Sequence, residues 1–186
     1  MYIFIWDVIY EHCSYFTPVS LSFAFSSCGF RVCNLTEEFE DQFLCLDALL
    51  VNQHAQDSGY ALSNEVNRIA SDIASFATNY RKKVQECRDK LEQIEGGGQR
   101  VVAWGAGSKG VTFLNTFRNQ HQIKYVVDIN PHKQGMFVPG TGQQIVPPEF
   151  LKKYKPDVIV VMNPIYKSEI RELTDKLGLT TNFMYV

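Results

Sequence analysis

A glycine-rich turn between two apolar runs is the feature that most constrains the fold of this chain. Residues 100–104 form a short run rich in β-branched side chains, and Gly105, Gly107 and Gly110 follow with the spacing G-x-G-x-x-G. Apolar residues then recur at helical spacing, and a second apolar run ends at Asp128, 23 positions after the first glycine. This order of strand, glycine turn, helix, strand and acid predicts a nucleotide-binding βαβ unit.

Each glycine of such a unit has its own mechanical function. The first makes the tight turn, the second lets the backbone approach a phosphate, and the third lets the helix pack closely on the strand. A phosphate would then lie at the helix N-terminus near Ser108 and Lys109, where free N–H groups favour an anion. Lys133 is a second candidate phosphate contact, and Asp128 could accept a ribose hydroxyl. The alternative is that the glycines serve packing alone, and the turn does not identify the nucleotide.

The C-terminal half alternates strands with helices. We predict strands near residues 100–104, 123–128, 157–162 and 182–186, and helices near residues 108–119, 147–154 and 166–177. This alternation predicts an α/β fold, a Rossmann-like parallel sheet with flanking helices and right-handed crossovers. The loop over residues 130–145 and the turn at Asn163 follow strand ends, where open α/β sheets bind ligands. Asn130 and Asn163 are therefore candidate substrate contacts.

Two further regions precede this half. Apolar residues spaced three or four apart predict one long helix over residues 59–96, ending at a run of three glycines. We favour a connecting helix packed on a neighbouring domain over a dimer-forming helix. Residues 1–58 predict a small α/β segment, with a helix opened by Thr17 and Pro18 and strands near residues 30–35 and 43–50; residues 1–6 are typical of a strand. The predicted domains are thus residues 1–58, 59–96 and 97–186.

Composition argues against several functional classes. The net charge is −2 without a dense run of Lys and Arg, so we expect no non-specific binding to nucleic acid. No apolar run is long enough to cross a bilayer, so no membrane partner is expected. The five cysteines are an odd number without a C-x-x-C pair. They predict free, mostly buried thiols in a reducing, cytoplasmic compartment and no metal site.

Residues 99–186, taken in unbroken order, resemble the C-terminal domain of sugar C-methyltransferases that depend on S-adenosylmethionine (SAM). The matching motifs are Gly105–Gly110, Val127–Pro131 with Lys133 and Gly135, Pro139–Thr141, Ile145 with Pro147–Glu149, and Pro156–Pro164. The segment Trp6–Thr17 resembles the end of the methyltransferase domain of the same family. The resemblance therefore implies that residues 1–58 are a remnant of that domain, ahead of the long helix and the Rossmann-like domain.

The resemblance also implies a function for two neighbouring residues, Glu11 and His12. In that family a Glu-His pair lines the active site, and the His removes a proton beside a sugar ketone. Histidine suits this work because its unperturbed pKa of about 6.5 lies near neutrality. Members carry a tyrosine two positions before the glutamate, where this chain has Ile9. The expected substrate is a nucleotide-linked deoxy-ketosugar, and SAM is the family cofactor.

The resemblance lacks one part of the family pattern, because nothing before Trp6 supplies a SAM-binding region. We expect a C-terminal fragment that binds the nucleotide-sugar but neither binds SAM nor methylates alone. We also expect it to self-associate through exposed strand edges, with a homodimer as the candidate assembly. One alternative is a stand-alone nucleotide or nucleotide-sugar binding module without catalysis. A second and weaker alternative is that the chain is half of an NAD-dependent oxidoreductase.

Overall fold

A computed structural model describes residues 5–9, 12–39, 42–51, 59–118 and 123–186, with the backbone alone for residues 59–63. The chain divides into two compact units. The first contains residues 1–11 and 78–186, and the second contains residues 12–77. The long helix contributes to both, and each unit is described by itself below. The division into residues 1–58, 59–96 and 97–186 stays a prediction about domains.

The first unit is built on a five-stranded parallel sheet in the order β5-β4-β3-β6-β7. The strands are β3 (Val101–Trp104), β4 (Ile123–Val127), β5 (Gln144–Val146), β6 (Val158–Val161) and β7 (Asn182–Tyr185). The two central strands, β3 and β6, are buried along their whole length. Continuous apolar runs of this kind are typical of parallel strands covered on both faces. The predicted Rossmann-like sheet is confirmed.

Short helices connect these strands and cover the sheet. They are α3 (Ser108–Thr116), α4 (Leu151–Tyr154) and α5 (Lys167–Lys176), with single 3₁₀ turns at Pro148–Phe150 and Pro164–Tyr166. The core joins the strand residues to one face of these helices: Val102, Trp104, Val127, Val146, Leu151, Ile159, Val161 and Ile170. All four strands expected from the sequence occur within a residue or two of their predicted positions.

The fifth strand, β5, is one that the sequence prediction missed. Gln144–Val146 pairs in parallel with β4, although the sequence predicts a loop up to residue 145. Three residues are too few to show the alternation by which a strand is recognised. The loop before β5 is also held by α3, because the side-chain amide of Asn115 in that helix donates to the Pro139 carbonyl over 3.0 Å.

The N-terminal segment corrects a second prediction. Ile5–Asp7 form a 3₁₀ turn rather than a strand, and Ile5 and Trp6 are both buried. The Trp6 ring meets the rings of Phe113 and Phe117 edge-on, at centroid distances of 5.0 and 5.8 Å.

The long helix α2 runs over Gly59–Gly96, the range that the apolar spacing predicts. Cys87, Leu91 and Ile94, near its C-terminal end, are buried in the first unit. Val66 and Ile73, near its beginning, are exposed. The first unit thus covers the apolar face of α2 near its C-terminal end. For the exposed N-terminal part of that face, both interpretations, a connecting helix and a dimer-forming helix, stay predictions.

The second unit contains α1 (Pro18–Ser27) and an antiparallel pair, β1 (Phe30–Glu38) and β2 (Phe43–Leu50). Thr17 caps α1 as predicted, through a capping box with Ser20. The expectation of mostly buried thiols is wrong, because Cys13, Cys28, Cys33 and Cys45 are exposed and Cys87 alone of the five is buried. Cys33 and Cys45 belong to β1 and β2, and a sheet of two strands leaves such side chains on an open face.

Candidate functional site

The glycine turn joins β3 to α3 as the sequence predicts. Gly105 has a φ of +112°, a conformation that favours glycine, and its N–H donates to the Val127 carbonyl over 2.8 Å. A Cβ on Gly110 would collide with the Gly105 carbonyl oxygen, so the third glycine is required for close packing of helix on strand. A Cβ on Gly107 would meet nothing within 4 Å. The second glycine therefore faces open space, where a ligand could approach the backbone.

Asp128 ties the glycine turn to the loop after β4. Its carboxylate is 8% exposed, and Oδ2 accepts from the Ala106 N–H over 2.9 Å and from Lys133 Nζ over 3.3 Å. Oδ1 accepts from the Asn130 N–H over 2.9 Å. Lys133 also donates to the Ala106 carbonyl over 3.2 Å. Oδ2 therefore has both acceptor positions filled, and a ribose hydroxyl would bind Asp128 at the remaining position on Oδ1 or displace Lys133.

On the β6 side of the turn lies an open cavity of about 570 Å³, which we call the β3/β6 crevice. Its lining includes Trp6, Lys83, Lys109, Lys167, Arg171 and Tyr185. Met162 and Pro164, just beyond the carboxyl end of β6, form its floor. In the strand order β5-β4-β3-β6-β7 the chain reverses direction across the sheet between β3 and β6. Ligands of open α/β sheets bind at such a switch point, outside the carboxyl ends of the strands.

The crevice is strongly cationic. Four of its lining residues are Lys or Arg, and among the described residues no Asp or Glu side chain lines it. Lys109 forms an ion pair with Asp7 at 3.1 Å. No other ion pair within the described ranges involves a crevice cation. The arrangement therefore suits a ligand with negative charge.

Two aromatic contacts give Arg171 a defined position. Its Nε donates to the Tyr185 hydroxyl over 2.9 Å, and its guanidinium lies 5.4 Å from the Phe183 ring centroid and 5.9 Å from that of Tyr185. Stacked, hydrogen-bonded guanidinium groups lose little further entropy when they bind an anion.

Comparison with known proteins bears on what this architecture serves. Residues 53–183 match the family described as the C-methyltransferase C-terminal domain. The chain belongs to this family. The chain is also similar to the C-methyltransferase NovU of Streptomyces niveus, with 27% identity over 171 residues. That alignment covers 88% of this chain and 41% of NovU, so the chain spans less than half of that relative. The resemblance inferred from the sequence motifs is confirmed.

In this C-methyltransferase C-terminal domain, the residues predicted from the glycine motif fall into two groups. Gly105 and Gly107 form the turn itself, and Ser108 and Gly110 lie in the first helical turn of α3. The other group, Asp128, Asn130 and Lys133, is joined to it by the hydrogen bonds given above. Lys109 belongs to the turn in sequence, but its side chain lines the crevice.

The remaining predicted site residues lie elsewhere. Asn163 caps the 3₁₀ turn after β6, its Oδ1 accepting from the Ile165 N–H over 3.3 Å. His12 is an exposed residue of the second unit whose ring lies 5.8 Å from that of Tyr15. Glu11 lies outside the described residues. Ligand or catalytic roles for these residues stay predictions.

Sequence reasoning missed most of the crevice. Trp6, Lys83, Lys167 and Arg171 were not among the predicted site residues, although Lys167 and Arg171 follow the Asn163 turn at a helical spacing of four. That spacing puts two cations on one helix face near a strand's carboxyl end, which is a detectable signal. Trp6 and Lys83 come from distant segments and carry no comparable signal.

No helix in the described ranges is long and apolar enough to cross a membrane.

Proposed function

We propose that this chain forms the sugar-nucleotide-binding part of a SAM-dependent C-methyltransferase whose substrate is a nucleotide-linked deoxy-ketosugar. The observation that carries the proposal is a glycine turn beside a cation-lined crevice, at the carboxyl edge of the sheet, in a chain of the C-methyltransferase family. A nucleotide-sugar carries the phosphates that such a crevice would hold. Family membership supports the reaction type, and the sugar itself rests on the resemblance.

The SAM cofactor supplies the methyl group in this proposal. At the glycine turn its ribose would meet an Asp128 carboxylate whose Oδ2 already accepts two hydrogen bonds. The ribose of any nucleotide would meet the same carboxylate, so these residues are not specific to SAM, and the steps proposed below involve only residues of this chain. We propose that this chain alone transfers no methyl group, a statement that a direct assay can test.

His12 is the residue that we propose as the base. Removal of the proton beside the ketone by the His12 imidazole would produce an enolate, the nucleophile that C-methylation requires. Glu11, next in sequence, would orient the imidazole ring and favour its protonated form after the transfer. The exposure of His12 supports only that the ring is accessible to a substrate.

Calorimetric titration of the purified chain with a thymidine diphosphate sugar, with NAD and with SAM tests the proposal. We expect binding of the nucleotide-sugar, loss of that binding in Gly107→Val, and no binding of SAM. Gly96→Val is the matched control, since a Cβ on Gly96 also meets nothing within 4 Å. It should bind like wild type.

The competing functions give different results in the same titrations. Binding of NAD without the nucleotide-sugar would favour an oxidoreductase half-domain. Binding of the nucleotide-sugar by a chain whose parent protein lacks methyl transfer would favour a binding module without catalysis. Unchanged nucleotide-sugar affinity in Gly107→Val would refute a role for the second glycine in binding.

A further inference from the structure

The β3/β6 crevice has the size of a ligand site. Its volume of about 570 Å³ lies within the roughly 300–1,000 Å³ usual for small-molecule sites. It is formed by the N-terminal turn, Lys83 of α2, α3, α5 and the ends of β6 and β7, and all of its lining residues belong to the first unit. A volume enclosed by so many separate elements is set by the fold rather than by one mobile loop.

The charge of the crevice points to the chemistry of its ligand. Lys83, Lys109, Lys167 and Arg171 come from three different helices and line one cavity. Lys109 has a carboxylate partner in Asp7, whereas no ion pair within the described ranges involves the other three. Like charges brought together repel one another, and a bound polyanion relieves that repulsion.

The wall of the crevice carries a second, independent sign of a ligand. Trp6 is 2% exposed, and its indole N–H has no hydrogen-bond partner among the described residues. A buried N–H without an acceptor is unfavourable, and such groups are normally paired with protein, water or ligand. An oxygen-rich ligand in the crevice would bring an acceptor to this wall.

We infer that the β3/β6 crevice binds the diphosphate group of the nucleotide-linked substrate, with Lys167 and Arg171 as its main contacts. Arg171 offers the planar donor pair that matches phosphate oxygens, and Lys167 adds a point charge one helical turn away. The preference for a polyanion follows from the crevice alone, whereas the identity of the nucleotide-linked ligand rests on the proposed function. The diphosphate therefore lies on the β6 side of the glycine turn, away from Asp128.

Lys167→Glu is the decisive variant, because no ion pair of Lys167 occurs in the described ranges and its loss should not disturb folding. Lys176→Glu is the matched control: it lies on the same helix, outside the crevice lining, with a side chain that is 75% exposed. Binding of inorganic pyrophosphate, thymidine diphosphate and a thymidine diphosphate sugar is measured calorimetrically for wild type and both variants. Equal urea midpoints for the two variants would establish that both are folded.

We expect all three ligands to bind the wild type and to bind Lys167→Glu at least about tenfold more weakly, the loss typical of a charge-assisted contact. Lys176→Glu should bind as the wild type does. Absence of saturable pyrophosphate binding, or equal affinities in Lys167→Glu and wild type, would overturn the inference.

Failure of the proposed function gives a different pattern. If pyrophosphate binds and depends on Lys167, but the nucleotide-sugar binds no better than pyrophosphate, the crevice is a polyanion site and the nucleotide-sugar assignment is wrong. If the nucleotide-sugar binds and depends on Gly107 but not on Lys167, the proposed function stands and the crevice inference fails.

Discussion

Alanine at the third glycine of the turn should lower stability, whereas alanine at the second should leave it nearly unchanged. Gly110→Ala places a methyl group against the Gly105 carbonyl oxygen, and also 3.4 Å from Met162 Cγ. The same change at Gly107 places its methyl group in open space, at a φ of −85° that alanine adopts freely. The two alanine variants, which each add a single carbon, therefore distinguish the glycine that is needed for packing from the glycine that is accessible to a ligand.

The magnitude follows from what blocks the new methyl group. The obstacle at Gly110 is the Gly105 carbonyl oxygen, which cannot rotate away because the N–H of the same peptide group, that of Ala106, donates to Asp128 Oδ2. We place the cost at the upper end of the overpacking range, about 3 kcal/mol. Alanine regains about 1 kcal/mol of helix propensity, which leaves a net loss of about 2 kcal/mol. At Gly107, alanine is a less favourable N-cap residue, which lowers stability, but it also makes the unfolded chain less flexible, which raises stability. The two effects nearly cancel, so the free energy of unfolding should change by no more than about 0.5 kcal/mol.

Urea denaturation followed by tryptophan fluorescence measures both values. The two tryptophans of the chain, Trp6 and Trp104, belong to the first unit, so the signal reports the unit that carries the turn. The reasoning is refuted if Gly110→Ala is as stable as wild type, or if the two variants lose equal free energy of unfolding.

Three further predictions concern other buried or paired groups. Asp128→Ala leaves the Ala106 N–H without its acceptor, and we expect it to lower the free energy of unfolding by about 2 kcal/mol; an unchanged urea midpoint would contradict this. The Arg100 backbone N–H, through its hydrogen bond, lowers the pKa of Asp157 below 3.8. The stability that Asp157 contributes is therefore complete above pH 3.8 and disappears as the pH falls through the lower folded-state value, so Asp157→Asn should flatten the acid limb of a stability–pH curve. Burial raises the pKa of the Cys87 thiol, so a thiol reagent at neutral pH should label four cysteines quickly and Cys87 slowly until the chain unfolds; five equally fast thiols would refute that.

Much of the first unit was predictable because its signals are local. The apolar run of β3, the glycine spacing and the helical periodicity of α3 each follow from a few neighbouring residues. The third glycine was assigned to helix packing on the same grounds, and the structure shows the close approach that requires it. β5 and the N-terminal turn were not predictable in this way. The pairing of three residues with β4, and the burial of both Ile5 and Trp6, are tertiary effects.

The candidate site likewise contains some contacts that the sequence predicts and others that it does not. The bond from Asp128 to the glycine turn joins residues 22 positions apart, but the motif predicts their meeting because two adjacent parallel strands end at one edge. The link through Lys133, which occupies that carboxylate, depends on how the loop after β4 folds back. The crevice depends on tertiary structure throughout, since Trp6, Lys83 and Lys167 come from segments far apart in the chain.

The sequence by itself determined the βαβ unit, the long helix and the family, because periodicity, glycine spacing and motif order are properties of neighbouring residues. Only the tertiary structure decided which side of the glycine turn carries the cations and which carries the occupied carboxylate. The physical reason is that charge accumulates in a cavity through the packing of separate helices against one sheet edge, and no local pattern records which helices will meet there.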